Sequence, residues 1–152
     1  MRFIPKEKYK EIMEILPILC ADLIIQKEGK ILVGLRKNQP LKNEWWIPGG
    51  RVFKNERLEE AAIRKAKEEF NLDVKIEKEL GVYECIEKET EFEDIKTGSH
   101  TLSVVFQVSP IGKQNIKMDS SFENYKWIDP KDSSEKLKIV LKKIGILNNN
   151  NL

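Results

Sequence analysis

The stretch Gly49-Gly50-Arg51-Val52-Phe53-Lys54-Asn55-Glu56-Arg57-Leu58-Glu59-Glu60-Ala61-Ala62-Ile63-Arg64-Lys65-Ala66-Lys67-Glu68-Glu69-Phe70-Asn71-Leu72 decides how this chain folds. Leu58, Ala62, Ala66 and Phe70 recur at every fourth position, with Ala61 and Ile63 beside them, so residues 57–70 read as a helix that buries one stripe. Asn71 follows where a left-handed C-cap is needed. The two glycines ahead of the helix read as a turn in which backbone comes close to a ligand. On such a helix Glu69 lies one turn after Lys65 and beside the apolar stripe, with Arg64 and Glu68 flanking it. An ordinary charged helix with Arg64/Glu68 and Lys65/Glu69 pairs accounts for each of these residues singly, but not for the glycines.

On the N-terminal side, Trp45-Trp46-Ile47-Pro48 leads an aromatic strand into Gly49-Gly50, and residues 36–44 form a polar connection. Residues 18–25 and 30–35, separated by Glu28-Gly29, read as a hairpin. Asp22 is then an acid inside a strand, either a solvated edge position or a hydrogen-bond acceptor. Before the hairpin, Pro5 opens a short amphipathic helix with Tyr9, Ile12, Met13 and Leu16 on one face. On the C-terminal side, residues 72–86 and 101–108 are strand-like and flank the acidic loop 87–94. A short strand at 125–128 and a helix over 137–141 complete the chain, without internal repeat or second-domain linker. A single domain over residues 1–147 with a disordered tail over 148–152 is expected, since the asparagine run buries no apolar surface.

A chain of 152 residues, 40% hydrophobic, builds one core without disulfides. Its net charge of +2, from 27 basic and 25 acidic residues, is unlike that of a protein that coats nucleic acid. No nucleic-acid or membrane partner is expected, because the start is charged and no apolar run has the roughly 18 to 20 residues a span requires. A cytoplasmic location follows as an expectation. Cys20 and Cys85 sit in apolar stretches with no second pair for a zinc site, and read as buried reduced thiols.

Gly50, Glu56, Arg64, Glu68, Glu69 and Leu72 match the positions of the Nudix box, G-x5-E-x7-R-E-U-x-E-E-x-G-U with U a bulky apolar residue. The chain resembles that family. The resemblance implies an α/β/α sandwich, with a mixed, curved β-sheet between helices, and a magnesium ion, or manganese in its place, at the box's glutamates. Among the departures, Lys65 replaces a glutamate and Asn71 the last glycine. Asparagine tolerates positive φ. A protonated lysine cannot ligate magnesium, so attack on phosphorus, which relies on that glutamate in most of the family, loses a support.

One branch, resembling GDP-mannose mannosyl hydrolase, also lacks that glutamate. Gly34 to Pro40, the Trp46 to Val52 segment and Tyr125-Lys126-Trp127 are similar to it. The branch attacks the sugar's anomeric carbon and releases nucleoside diphosphate and free sugar. The resemblance implies a metal held by the Gly49 carbonyl region and Glu69, with Glu68 beside it. It implies Arg36 and Arg51 on the departing diphosphate, Asp22 near the substrate, and a homodimer. Guanidinium forks suit phosphate oxygens, and cations stabilise charge developing on a leaving diphosphate. The branch's metal-binding glutamine and histidine base fall at Ser121 and Phe122 here, and two further sugar-side positions at Cys85 and Thr101. His100, the single histidine, reads as a strand-end residue. A carboxylate from Glu84 to Asp94, or Glu123, is the expected replacement base.

The leading expectation is hydrolysis of a nucleoside-diphosphate sugar, GDP-mannose-like, at carbon. The alternatives are cleavage at phosphorus of a nucleoside diphosphate linked to another moiety, and a degenerate nucleotide-binding module.

Overall fold

The computed structural model describes residues 3–150. Of the expected disordered tail, Asn151 and Leu152 lie outside the described residues. In chain order the elements are α1 (Lys6–Ile15), β1 (Ile18–Lys27), β2 (Lys30–Arg36), β3 (Trp45–Trp46), β4 (Gly49–Arg51) and α2 (Leu58–Phe70). They continue with β5 (Val74–Glu87), β6 (Ser99–Pro110), β7 (Phe122–Ile128) and α3 (Glu135–Lys143), with a short 3-10 turn at Pro130–Asp132.

The sheet is mixed, with order β3-β2-β1-β6-β5, β4 joined to β1 and β7 to β2. The hairpin is present, pairing Gln26 with Ile31 and Lys27 with Lys30. Strand β1 is the axis. Along its whole inner length it pairs in parallel with β6, from Ile18 against Thr101 to Ile25 against Val108. Its antiparallel partners are two: β4 at Cys20–Asp22 and β2 at Gln26–Lys27. The sheet therefore forks at the middle of β1, and the fork opens a cleft.

Alternation along the strands divides the core between the two faces. Ala21, Leu23, Ile25, Val104, Phe106 and Val108 pack under Ala61, Ala62, Ala66 and Phe70 of α2. Ile24, Ile31, Val33 and Val105 pack against Leu137, Val140, Leu141 and Ile144 around α3. The result is the α/β/α sandwich expected from the sequence. Helix α1 differs from α2 and α3, because none of its residues is buried.

Helix α2 begins where the Glu60 carboxylate accepts the Arg57 backbone N–H at 3.0 Å and ends at Asn71, whose φ of 55° is left-handed. Two local expectations are corrected. Gly49-Gly50 is not a turn: both glycines belong to β4, paired with Asp22 and Ala21. Phe122 does not face a substrate. It is 2% exposed, stacks on Phe70 at 5.1 Å between ring centroids, and covers Gly34 so closely that any Cβ there would strike the ring. Alternation along β7 sends its side chain into the α2 face of the core, leaving Ser121 beside the cleft.

Phe122→His is accordingly expected to destabilise the fold rather than install a base, since it puts a polar ring into a stacked apolar site. Phe122→Ala should lower stability by about 3–5 kcal/mol, the range for a buried aromatic. Urea unfolding of both variants measures this, and a His variant of native stability would return position 122 to the pocket.

Candidate active site

The fork of the sheet holds a cavity of about 290 Å³. One wall is the row of strand residues facing it: Ile18, Cys20 and Asp22 from β1, Thr101 and Ser103 from β6, Tyr83 and Cys85 from β5. These line up because Cys20 pairs with Ser103 and Ser103 with Tyr83, while Ile18 pairs with Thr101 and Thr101 with Cys85. The opposite wall brings Gly49, Gly50 and Arg51 together with Lys65 and Glu69 of α2. Arg36, at the end of β2, and the loop after it close one end, and Tyr9 and Glu91 lie at another.

Glu69 is 4% exposed, and its Oε2 accepts the Gly49 backbone N–H at 2.9 Å. Its Oε1 lies 3.4 Å from Lys65 Nζ. Burial, only partly offset by Lys65 and the Gly49 N–H, and increased by Asp119, pushes its pKa up to about 7. Asp22, buried on the β1 side, accepts a short hydrogen bond from the Tyr83 hydroxyl. Burial raises its pKa to about 6, against the pull of the Tyr83 and Ser103 hydroxyls and the Arg36 and Lys65 charges. Of the two sequence-level readings of Asp22, the hydrogen-bond acceptor is correct.

The glycine pair has a steric cause. A Cβ on Gly49 would collide with the Asp22 carboxylate and backbone, and one on Gly50 would fall 2.8 Å from Lys65 Cε. In the β1/β4 ladder the Leu23 N–H bonds the Pro48 carbonyl and the Val52 N–H bonds the Leu19 carbonyl. Antiparallel pairs alternate, so Asp22/Gly49 falls at a non-hydrogen-bonded pair. That frees the Gly49 N–H for Glu69 and turns the Gly49 carbonyl away from the ladder.

The two arginines differ. Arg36 is anchored by its Nε donating to the Pro40 carbonyl at 2.8 Å. The Arg51 guanidinium lies over the Tyr9 ring at 4.1 Å, and its Nη1 is buried with no hydrogen-bond partner among the described residues. Arg51 lines the cavity, and a buried guanidinium nitrogen without a partner is a donor that an anion could satisfy. Tyr9 stands edge-on to Phe92 at 6.0 Å, and Lys10, next in sequence, pairs with Asp94 and lies over the same Phe92 ring.

The other box residues fasten the loop to the helix. Arg64 Nε binds Glu56 Oε1 at 2.6 Å, Nη2 binds Glu56 Oε2 at 3.0 Å and the Arg51 carbonyl at 2.8 Å, and the guanidinium covers Phe53. Glu68 lies outside the main cavity, on Arg64 and Lys65. Among the acidic-loop candidates, Glu84 faces His100 at 3.6 Å, Glu87 faces Lys136 at 3.7 Å and Asp94 takes Lys10, whereas Glu91 lines the cavity. Glu123 is exposed on β7. Cys20 is buried, while Cys85 is half-buried at the cavity wall, a partial correction of its expected burial. Sequence reading missed Tyr83, Ser103 and Tyr9. The first two carry a period-two signal with Cys85 and Thr101, but choosing the face requires the register of β1, β5 and β6.

A model of the NUDIX domain matches residues 19–147, and the chain belongs to the Nudix family. Nudix hydrolases act on nucleoside diphosphate substrates and generally use a divalent metal such as Mg2+. The low-salt glycan biosynthesis protein Agl8 of Haloferax volcanii is 38% identical over 127 residues, spanning 84% of this chain and 80% of the relative. An ADP-ribose pyrophosphatase of Methanocaldococcus jannaschii is 38% identical over 96 residues, 63% of this chain and 53% of that protein. In structure, a MutT NUDIX hydrolase from Burkholderia pseudomallei aligns with a TM-score of 0.67 at 23% identity, over 84% of this chain and 97% of that one, which supports the fold.

The donors present suit one divalent ion and not a carboxylate cluster. Glu69 is a buried carboxylate whose pKa is raised by that burial, and the Gly49 carbonyl beside it is free of the ladder. Among the described residues, no three His, Cys, Asp or Glu side chains gather as a metal centre.

Two outcomes follow. Gly49→Ala is expected to cost about 1–3 kcal/mol as an overpacking change, and Gly50→Ala less, because the Lys65 stem can move aside whereas the Asp22 backbone cannot. Equal urea midpoints for the two variants would contradict this. In metal-free protein, Asp22→Asn should raise the melting temperature at pH 8 by several degrees, about 1–3 kcal/mol. The folded carboxyl loses its proton at about 6 and the unfolded one at 3.8, so the penalty the variant removes builds between those values and is complete above them. Calorimetry across pH 4 to 8 should show the gain shrinking toward pH 4, and a gain independent of pH would contradict the assignment.

Proposed function

We propose that the chain hydrolyses a nucleoside-diphosphate sugar, GDP-mannose-like, at the sugar's anomeric carbon, releasing nucleoside diphosphate and free sugar. The observation that carries this reading is the cation set around one cavity: Arg36, Lys65 and the unpartnered Arg51 Nη1, facing a single buried glutamate. Such a set stabilises a departing diphosphate, while the carboxylate cluster that generates hydroxide for attack on phosphorus is depleted by Lys65.

Glu69 and the Gly49 carbonyl would hold magnesium, or manganese, which would supply positive charge to the diphosphate. Arg36, from the end of the cavity, and Arg51, from the same wall as Gly49, bind its oxygens. Asp22, with Tyr83 behind it, orients the substrate. Glu91, the acidic-loop carboxylate at the cavity, takes the proton of the attacking water as its oxygen bonds to carbon. The carbon–oxygen bond to phosphate breaks, and its electron pair leaves on the diphosphate. Similarity to a glycan-biosynthesis protein supports a sugar-linked substrate. A homodimer, carried by the resemblance to the mannosyl hydrolase branch, and a cytoplasmic location, carried by the charged start and the lack of a long apolar run, belong to the same reading.

The second reading, attack at phosphorus, is favoured by one observation, the similarity to an ADP-ribose pyrophosphatase. Hydrolysis of GDP-mannose and related nucleotide sugars in 18O-water with magnesium separates the two. Label is expected in the anomeric hydroxyl of the free sugar. Label in a nucleoside monophosphate or sugar phosphate would establish attack at phosphorus, and binding without turnover would point to a degenerate module.

A further inference from the structure

Lys65 is built into the site. Its stem crosses Gly50, its side chain is only 14% exposed, and its ammonium stands 3.2 Å from Glu68 Oε2 and 3.4 Å from Glu69 Oε1. The second oxygen of Glu69 is taken by the Gly49 N–H. Each oxygen of the buried carboxylate thus already faces a donor from the chain. A lysine ordinarily keeps its flexible stem and strongly hydrated head in water, so packing the stem and bridging two carboxylates with the head marks a fixed charge.

Position matters as much as charge. The ammonium lies between the two glutamates of adjacent helix positions, on the cavity wall that also holds Gly49. A divalent ion bridging Glu68 and Glu69 would have to displace it or sit a few ångströms from a like charge, which is strongly disfavoured where water is scarce. An ion bound at Glu69 Oε2 from the Gly49 side would stand farther from the ammonium, which faces Oε1, and would leave the Lys65–Glu68 pair in place.

We propose that the Lys65 ammonium is a permanent counter-cation that occupies the place of a second metal ion between Glu68 and Glu69. The site then takes one exchangeable divalent ion, and the lysine supplies the remaining positive charge to the bound diphosphate. This rests on Glu69 being a metal ligand, as in the proposed function, but not on which substrate is used or which bond breaks.

The test is Mn2+ binding to substrate-free protein, followed by the electron paramagnetic resonance signal of the free ion. Wild type is expected to bind one Mn2+ per chain. Lys65→Met keeps the stem over Gly50 and removes the charge, so it should bind one ion roughly tenfold more tightly, within the range by which neighbouring groups tune metal affinity. Lys65→Glu should bind two per chain. Unchanged affinity in Lys65→Met, a single ion in Lys65→Glu, or two ions already in wild type would overturn the proposal. No Mn2+ binding by any of the three would overturn it together with the metal reading of Glu69, whereas label found in phosphate in the hydrolysis experiment would leave it intact.

Discussion

The contact between the Glu69 carboxylate and the Gly49 backbone ties the last turn of α2 to β4, and the rest of the site is arranged around it. Glu69 reaches that N–H because β4 presents a non-hydrogen-bonded position there, and β4 is placed by its short ladder with β1. A side chain on Gly49 would separate the strands at Asp22. One backbone donor thus couples helix, strand and the buried aspartate. Burial in the same cleft raises the pKa of both carboxylates, as at sites where charge is kept for a ligand.

Around this centre the charges divide into those that build and those left for chemistry. Arg64 spends its donors on Glu56, Glu68 and the Arg51 carbonyl and covers Phe53, so the loop between β4 and α2 is fixed before any ligand arrives. Arg51 keeps a donor unspent beneath Tyr9. Such preorganisation lets a cavity bind a diphosphate without reordering its own side chains.

Much of this was legible in the sequence because it is local. Helix α2 announces itself by four-residue periodicity, its end by Asn71, and its relation to the glycines by the spacing from Gly50 to Glu69. The hairpin of β1 and β2 follows from Glu28-Gly29 in the same way. Asp22 stood out as an acid in an apolar strand, but its partner Tyr83 did not, since the pairing crosses 61 positions and depends on how three strands register. Phe122 misled for the opposite reason: matching it to a family position fixed its place along the chain but not the face of β7 it occupies. Lys65 could be recognised from sequence as a missing ligand, whereas its role as a bridge between Glu68 and Glu69 appears only when its stem is seen to lie on Gly50.

The parallel pairing of β1 with β6 has a kinetic consequence. It joins Ile18 to Thr101 and Ile25 to Val108, so the central ladder closes only after most of the intervening chain has collapsed. Non-local parallel pairing is slow to form. The box helix and its loop can assemble early from neighbouring residues, but the cavity wall drawn from β5 and β6 cannot. Ligand-binding competence in this chain therefore arrives last during folding, and a nascent chain that ends before β6 carries the whole metal-binding signature without a pocket to use it in.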